Sequence, residues 1–224
     1  MTNFYDETYY KNTITDPTKA KAFQAAKERE FEFLKEQLSP KSGKKLLDLG
    51  CGVGKYLQSI APSGADLWGI DISKIATDSA KKCVKKPEQI ICSSSMPLPF
   101  EDNTFDYVTA WGVIEHFPCI PSILKEITRI TKKDAEIVIM VPNAYFYRFI
   151  LNTWHKGTGP TKHQEPEMLY AFAEWKRMIE KTSLEVTKTN FHNKFNKPKW
   201  EWLRNILIPF YFSNHFVYVC RNTK

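Results

Sequence analysis

Several features that mark other classes of protein are missing from this chain of 224 residues. No apolar run approaches the roughly 18–20 residues that a membrane-spanning helix needs, and the segment from Met1 to Glu7 lacks the basic and apolar regions of a signal peptide. The five cysteines are scattered, with neither a Cys-x-x-Cys pair nor the spacing of metal ligands. These absences argue against a membrane span, a secretory leader, a disulfide framework and a zinc site. We therefore expect a cytoplasmic protein with reduced thiols.

The chain also lacks internal repeats and low-complexity linkers. Its 42% hydrophobic and 25% charged residues are ordinary for a globular protein. The net charge of +7 favours anionic partners, but most of it lies in lysine pairs at predicted helix ends and loops, where a solvated surface explains it. We therefore predict a single domain over residues 1–224, with an N-terminal helical cap (1–40), a core (41–143) and a C-terminal part (144–224).

Strand-like and helix-like segments alternate from Lys44 onward. Strands are predicted at 45–49, 66–71, 88–92, 105–110, 135–141, 184–191 and 214–220. Helices are predicted at 54–61, 73–85, 121–131 and 166–181, with an earlier one between Asp16-Pro17 and Ser39-Pro40. Residues 144–164 are aromatic, basic and loop-like. The alternation predicts an α/β fold with a parallel sheet and right-handed crossovers.

The most informative stretch is the turn after the first strand, Asp48-Leu49-Gly50-Cys51-Gly52-Val53-Gly54. Alternate glycines suit a backbone with unusual φ values or one that approaches a ligand closely. A second apolar run ends on Asp71, where nucleotide-binding folds place an acid on the ribose hydroxyls. Lys55 stands where a dinucleotide-binding G-x-G-x-x-G motif needs its third glycine, and no P-loop pattern is present. Asp48 favours a cationic ligand over a pyrophosphate.

With two further segments, Leu98–Asp106 and Val113–Phe117, the chain resembles the class I S-adenosylmethionine-dependent methyltransferases over roughly residues 40–190. The resemblance implies a Rossmann-like fold with a seven-stranded, mostly parallel sheet and an antiparallel last strand. Helices on both faces, an N-terminal helix and an aromatic lid would complete it. S-adenosylmethionine would be the cofactor and S-adenosylhomocysteine the product. Residues 41–143 would then bind the cofactor, and 144–224 would hold the lid and the C-terminal strands.

In this resemblance the cofactor lies against the ends of the first four strands. The implied contacts are with Asp48, Gly50, Cys51, Gly52, Gly54, Asp71, Ile72, Ser94, Ser95, Met96, Ala110, Trp111 and Gly112. Asp48 would help to hold the ammonium group, Asp71 the ribose hydroxyls and Ile72 the adenine face. The serines of the 94–96 segment depart from the acid that relatives place near the adenine amino group. Trp111 has two open interpretations, a cation–π contact with the sulfonium or ordinary packing.

Methyl transfer from a sulfonium is an in-line displacement, which a base assists when the acceptor is a hydroxyl. His116 follows the fourth strand at the edge where open α/β folds place their sites, so it is the first candidate for this base. Its alternative role is to fix the loop. Glu115 would orient His116 or face solvent, and His163 would reach in from the lid. No metal is expected, because Gly112 stands where some relatives carry an acidic ligand.

Within the family, the chain is most similar to the ubiquinone-biosynthesis type of O-methyltransferase. The likeness rests on Glu115-His116, on Lys156-Gly157-Thr158-Gly159 within an aromatic and basic insertion, and on Thr182-Ser183-Leu184. We predict O-methylation of a small or lipid-like hydroxyl acceptor, by a monomer or homodimer. A nucleic-acid methyltransferase and a cofactor-binding partner protein without turnover are the alternatives, and N- or C-methylation stays open. Aromatic segments 145–154 and 200–212 would roof the site, contact a membrane peripherally or form a protein interface.

Overall fold

Helices and strands alternate along the computed structural model, which describes residues 31–157, 167–193 and 210–224. The strands are β1 (Lys45–Leu49), β2 (Asp66–Asp71), β3 (Ile90–Cys92), β4 (Phe105–Trp111), β5 (Thr131–Pro142), β6 (Leu184–His192) and β7 (His215–Asn222). The helices are α1 (described over 31–37), α2 (Lys55–Ile60), α3 (Lys74–Lys81), α4 (Ile120–Ile130), α5 (Tyr147–Lys156) and α6 (Phe172–Glu180). Each predicted strand overlaps an observed one, so the predicted alternation is confirmed.

The strands form one seven-stranded sheet with the order β3-β2-β1-β4-β5-β7-β6. Among the described strands, β7 runs antiparallel to both of its neighbours, β5 and β6. All other described pairs of adjacent strands are parallel. This confirms the predicted fold class, a mostly parallel sheet with an antiparallel last strand. The strand order reverses direction between β1 and β4, and open α/β sheets bind ligands at the carboxyl edge beside such a switch point. The topology thus places the candidate site above the ends of β1 and β4.

Helices cover both faces of this sheet, as predicted. The buried side chains of α4 and α6 on one face include Ile123, Leu124, Ile127, Trp175 and Ile179. Those of α1, α2 and α3 on the other face include Leu34, Leu57 and Ala80, and Leu38, just after α1, joins them. Within β1, Leu46 joins the second cluster and Leu47 the first, because successive side chains of a strand point to opposite faces. The buried run at the start of the glycine motif is therefore a central strand packed on both sides.

The sequence pattern of α4 explains why this segment is helical. Its buried residues recur at spacings of three and four: Ile120, Ile123, Leu124, Ile127 and Ile130. Pro121 lies in the first turn, where a missing N–H costs no hydrogen bond. Burying one such apolar side chain contributes roughly 1.5–3 kcal/mol, so packing of this face supplies most of the helix's stability.

The prediction that 144–164 is loop-like is wrong for residues 147–156, which form α5. The helix ends where Gly157 adopts a φ of 63° and donates its N–H to the carbonyl of Thr153 at 2.9 Å. Aromatic and β-branched residues have only middling helix propensity, which favoured the loop interpretation. None of the ten residues of α5 is buried. The helix therefore has no core-facing stripe of the kind that α4 has.

Three helix and strand boundaries differ from the predictions by four residues or more. α3 ends at Lys81 rather than near 85, and β5 begins at Thr131 because α4 leads directly into it. α6 begins at Phe172 rather than near 166, because Tyr170 forms a parallel bridge with Asn143 that keeps the preceding chain extended. The division of the domain at residues 40 and 143 stays a prediction. No helix within the described ranges is long and apolar enough to cross a membrane.

Candidate active site

The turn after β1 folds back onto the end of β2 through its backbone. The N–H groups of Gly50 and Cys51 both donate to the carbonyl of Ile70, at 2.8 and 3.1 Å. Gly50 has a φ of 75°, and a Cβ built on it would lie 2.7 Å from the Val113 side chain. A side chain at Gly54 would meet Ala80 of α3 at 2.9 Å. These glycines are thus required by both backbone conformation and close packing.

Asp71, the last residue of β2, holds this turn with its carboxylate. Its two oxygens accept hydrogen bonds from the backbone N–H groups of Gly52 (2.8 Å) and Ser73 (2.9 Å). Ser73 also caps α3, since its hydroxyl accepts from the N–H of Ala76 at 3.1 Å. A carboxylate offers about four acceptor positions, so these two bonds do not by themselves exhaust it. The predicted ribose contact of Asp71 therefore fits the donor and acceptor chemistry of the site.

Asp48 provides a second buried carboxylate, with 4% of its surface exposed. Thr109 of the neighbouring strand β4 donates its hydroxyl to Asp48 Oδ1 at 2.7 Å. Burial raises the pKa of the nearby Cys51 thiol well above its usual value, and the charges of Asp48 and Asp71 raise it further. The Cys51 thiol is consequently neutral, and its predicted contact with the cofactor stays a prediction. Two buried carboxylates at one strand edge favour a cationic ligand, as predicted from the sequence.

The segment after β3 lies beside Asp71, but its first serine was missed. The N–H of Ser93 donates to the backbone carbonyl of Asp71 at 3.0 Å, and its hydroxyl lies 2.7 Å from that of Ser95. Ser94, Ser95 and Met96 are exposed. The predicted strand end at residue 92 would have identified Ser93, because the residue after a parallel strand faces the carboxyl edge of the sheet.

The end of β4 forms the next part of the site, with Ala110 buried and Gly112 at a φ of 62°. The Trp111 ring packs 6.2 Å from the rings of both Phe33 in α1 and His192 in β6. Its indole nitrogen is buried and has no hydrogen-bond acceptor within the described part of the chain. The observed contacts therefore support the packing interpretation of Trp111. The cation–π contact stays a prediction.

Glu115 and His116 follow in a short 3₁₀ turn (Ile114–His116). The Glu115 side chain is 4% exposed, which excludes the alternative that it faces solvent. Its Oε1 lies 3.9 Å from His116 Nε2 and 3.6 Å from the position that a Cβ at Gly112 would occupy. The carboxylate thus points back toward the end of β4, beside the imidazole. His163, the other predicted base, lies outside the described residues.

Three residues on the β5–β7 side were not predicted. Asn143 follows β5, is fully buried and donates its amide to the carbonyls of Tyr211 (2.9 Å) and Ser213 (2.8 Å). Its oxygen accepts from the N–H of Tyr145 at 2.9 Å, just before α5. His192 and His215 pair across β6 and β7 at the carboxyl edge. Their partners come from distant parts of the chain, and the sequence alone gives no signal for them.

The described side chains also bear on ligand type. Residues 31–157, 167–193 and 210–224 contain no group of three or more His, Cys, Asp or Glu side chains arranged to hold a metal ion. What the edge does offer is a glycine turn with positive φ values, two buried carboxylates and a histidine beside a third carboxylate. This set can hold a cationic, ribose-bearing ligand and can accept a proton from a neighbouring molecule.

Comparison with known proteins identifies similar chains. Residues 21–206 match a family model described as a methyltransferase domain. The chain is 27% identical over 175 residues to sterol 4-C-methyltransferase strm-1 of Caenorhabditis elegans, an overlap of 70% of this chain and 52% of that protein. It is 30% identical over 140 residues to a demethylmenaquinone methyltransferase of Geobacillus, covering 54% and 59%. The chain thus spans about half the length of the curated relatives it matches.

A solved structure shows the same architecture. The S-adenosylmethionine-dependent methyltransferase from Aquifex aeolicus superimposes with a TM-score of 0.60 over 86% of this chain and 88% of that one. The sequence identity is 19%. At this level the likeness is one of fold alone, and it agrees with the sheet order described above.

Proposed function

Because this chain belongs to the methyltransferase domain family and its cofactor is S-adenosylmethionine, we propose that it methylates a lipid-like acceptor. The observation that carries the proposal is the Asp71 carboxylate, which fixes the glycine turn and Ser73 at the switch point of the sheet. The lipid-like acceptor class is supported by the names of the relatives, which act on sterols and demethylmenaquinone. When bound, the cofactor supplies an electrophilic methyl group.

The residues present fit this cofactor. Asp71 would hold the ribose hydroxyls, and Asp48, braced by Thr109, would attract the ammonium group. Gly50 and Gly52 would allow the backbone to lie against the ligand, since neither carries a side chain into the turn. The two carboxylates also make this edge electronegative, which suits a sulfonium cation. Contacts of Ile72 and of the serines at 94 and 95 with adenine belong to the same proposal.

For the chemical step, we assign the role of general base to His116. The imidazole would take the proton of an acceptor hydroxyl as that oxygen attacks the methyl group. The oxygen would then be a stronger nucleophile than that of a neutral alcohol or phenol. The buried Glu115 carboxylate, 3.9 Å from His116 Nε2, would orient the ring and attract the imidazolium that forms. Glu115 is thus a positioning residue. His163, which lies outside the described residues, keeps its predicted role as a second base.

Methyl transfer to carbon is the second candidate, and the relatives favour it. The nematode relative is named a sterol 4-C-methyltransferase, and the same base can remove a proton from a carbon acceptor. The two reactions give different products. O-methylation converts the acceptor's hydroxyl to a methyl ether, whereas C-methylation leaves the hydroxyl in place. The proposal also includes peripheral membrane contact through segments 145–154 and 200–212. Residues 200–209 lie outside the described part of the chain.

The test compares His116→Gln with the wild-type chain. We expect S-adenosylmethionine to bind both with similar affinity by isothermal titration, while turnover of a prenylated phenol falls by about 10²- to 10⁴-fold in the variant. The surface variant Lys125→Gln serves as the control, because that side chain is exposed on α4. Nuclear magnetic resonance of the product then distinguishes attachment to oxygen from attachment to carbon. Wild-type turnover in His116→Gln would exclude the base, and absence of cofactor binding would exclude the whole proposal.

A further inference from the structure

Helix α5 presents an apolar stripe to solvent. Tyr147, Ile150, Leu151 and Trp154 recur at helical spacing of three and four residues, which places them on one face. Of these side chains Trp154 is 79% exposed, and Ile150 and Leu151 are 43% and 44% exposed. Single exposed apolar residues are common on protein surfaces, but a contiguous apolar stripe marks an interaction site.

The opposite side of the helix explains why the stripe stays outside. Phe146 is buried, and its ring lies 5.3 Å from that of Phe149. Asn143 holds the chain just before this point, since its oxygen accepts from the N–H of Tyr145. The helix is therefore seated on the domain through its first turn and Phe149, and it cannot also bury its Ile150–Trp154 side against the same surface.

The charges on α5 are all of one sign. Its ten residues include Arg148 and Lys156 and no acidic residue. Basic residues that flank an apolar stripe with a tryptophan are typical of helices that lie in the interface of an anionic bilayer. A second copy of the same helix is a poorer fit, because symmetric pairing would bring these cations together.

The stripe also adjoins the carboxyl edge of the sheet. Asn143 directly follows β5, and its amide holds the carbonyl of Tyr211 at 2.9 Å. Tyr211 and Phe212 are 61% and 41% exposed, and Tyr145 is 58% exposed. Through Asn143, the exposed Tyr211-Phe212 turn and the start of α5 are therefore held at the same carboxyl edge of the sheet.

We propose that α5 and the Tyr211-Phe212 turn dock the protein on an anionic lipid surface. In that orientation the acceptor side of the site faces the lipid phase, from which a lipid-like acceptor enters. The inference extends the proposed function, which supplies the reason for such an acceptor. Docking itself is measured without cofactor, acceptor or turnover, so it succeeds or fails separately from methyl transfer.

The test is flotation of the full chain with two kinds of vesicle, phosphatidylcholine alone and phosphatidylcholine with phosphatidylglycerol. We expect binding to the anionic vesicles that is about ten- to thirtyfold tighter, because α5 carries two cationic side chains and no acidic one. Leu151→Gln/Trp154→Gln should weaken that binding by about tenfold or more, since both apolar side chains leave the interface. Ile75→Gln is the control, because Ile75 is exposed to a similar degree (39%) on α3.

Three results would overturn the proposal. The first is that the wild-type chain binds neither kind of vesicle. The second is that Ile75→Gln weakens binding as much as the double variant, which would show that the α5 stripe has no special part. The third is that light scattering finds a dimer that the double variant abolishes while vesicle binding is unchanged. In that case a second copy of the chain, and not a bilayer, covers the stripe.

Discussion

The two sides of the carboxyl edge are built in different ways. On the cofactor side, at the ends of β1 and β2, Asp71 binds the backbone of Gly52 and Ser73, and all three lie within a short stretch of sequence. On the side that we propose for the acceptor, Asn143 binds the carbonyl of Ser213, 70 residues away. The first side is organised by local main-chain contacts. The second depends on side chains that meet only when the whole sheet has formed.

This difference has a functional consequence. A ligand that a large family shares is held by the backbone of a turn. The geometry of that turn restricts which residues can stand at the glycine and acid positions, and only there. The side that we propose for the acceptor includes His192, His215 and the aromatic surface of α5, which lie apart from the turn in the sequence. One fold can thereby keep its cofactor while its acceptor varies.

The largest predicted effect concerns the cofactor side. Asp71→Ala removes the acceptor of two backbone hydrogen bonds and of the proposed ribose contacts. Hydrogen bonds to a charged group contribute about 1.5–3 kcal/mol each, so we expect the dissociation constant for S-adenosylmethionine to rise by about 10²- to 10⁴-fold. Isothermal titration measures the change. Asp78→Asn, at an exposed carboxylate on α3, is the control and should bind normally. An unchanged affinity in Asp71→Ala would remove this residue from the cofactor site.

A smaller effect is expected at the glycine turn. Gly50 and Gly43 share a φ of 75°, but a Cβ at Gly50 would meet Val113 at 2.7 Å, whereas Gly43 has nothing within 4 Å. Gly43→Ala therefore introduces only backbone strain, about 1–2 kcal/mol. Gly50→Ala adds an overpacking cost of about 1–3 kcal/mol. Chemical denaturation of both variants separates the two terms. Equal losses of unfolding free energy in Gly43→Ala and Gly50→Ala would show that the turn moves away from Val113 at no cost in stability.

The same division explains what the sequence could predict. The parallel sheet follows from alternating apolar runs, and the Asp48–Gly54 turn and Asp71 are recognisable because their glycines and acids form a pattern at the ends of two predicted strands. The helical state of α5 was missed although Tyr147, Ile150, Leu151 and Trp154 recur at helical spacing, because the nearly continuous aromatic and apolar residues from 145 to 151 obscure that period. Asn143 and His192 were missed because their partners come from distant segments. Register between strands that are far apart in sequence cannot be read from composition or periodicity.

The smallest predicted effect concerns Asp106, at the edge of the sheet opposite the candidate site. Its carboxylate connects β1 on one side of the molecule with β5 on the other. Its carboxylate accepts from the backbone N–H of Lys45 in β1 at 3.0 Å and from the ammonium of Lys132 in β5 at 2.9 Å. Burial by itself would raise the pKa of Asp106, but these donors and the nearby Lys44 outweigh it and hold the pKa below its usual value. The charged carboxylate is thus favoured in the folded state.

A group whose pKa is lower in the folded state stabilises the fold above its unfolded pKa, about 4 for aspartate, and loses that contribution as the pH falls through its folded pKa. Asp106→Asn should therefore lower the unfolding free energy by about 1–2 kcal/mol at neutral pH, and the difference from wild type should shrink below about pH 4. Urea denaturation across this range measures it, with the exposed carboxylate variant Asp134→Asn as control. Cofactor affinity should stay unchanged, because Asp106 lies at the far edge. If the difference in unfolding free energy between Asp106→Asn and wild type does not change with pH, then the shape of the Asp106 side chain, and not its charge, stabilises the contact between β1 and β5.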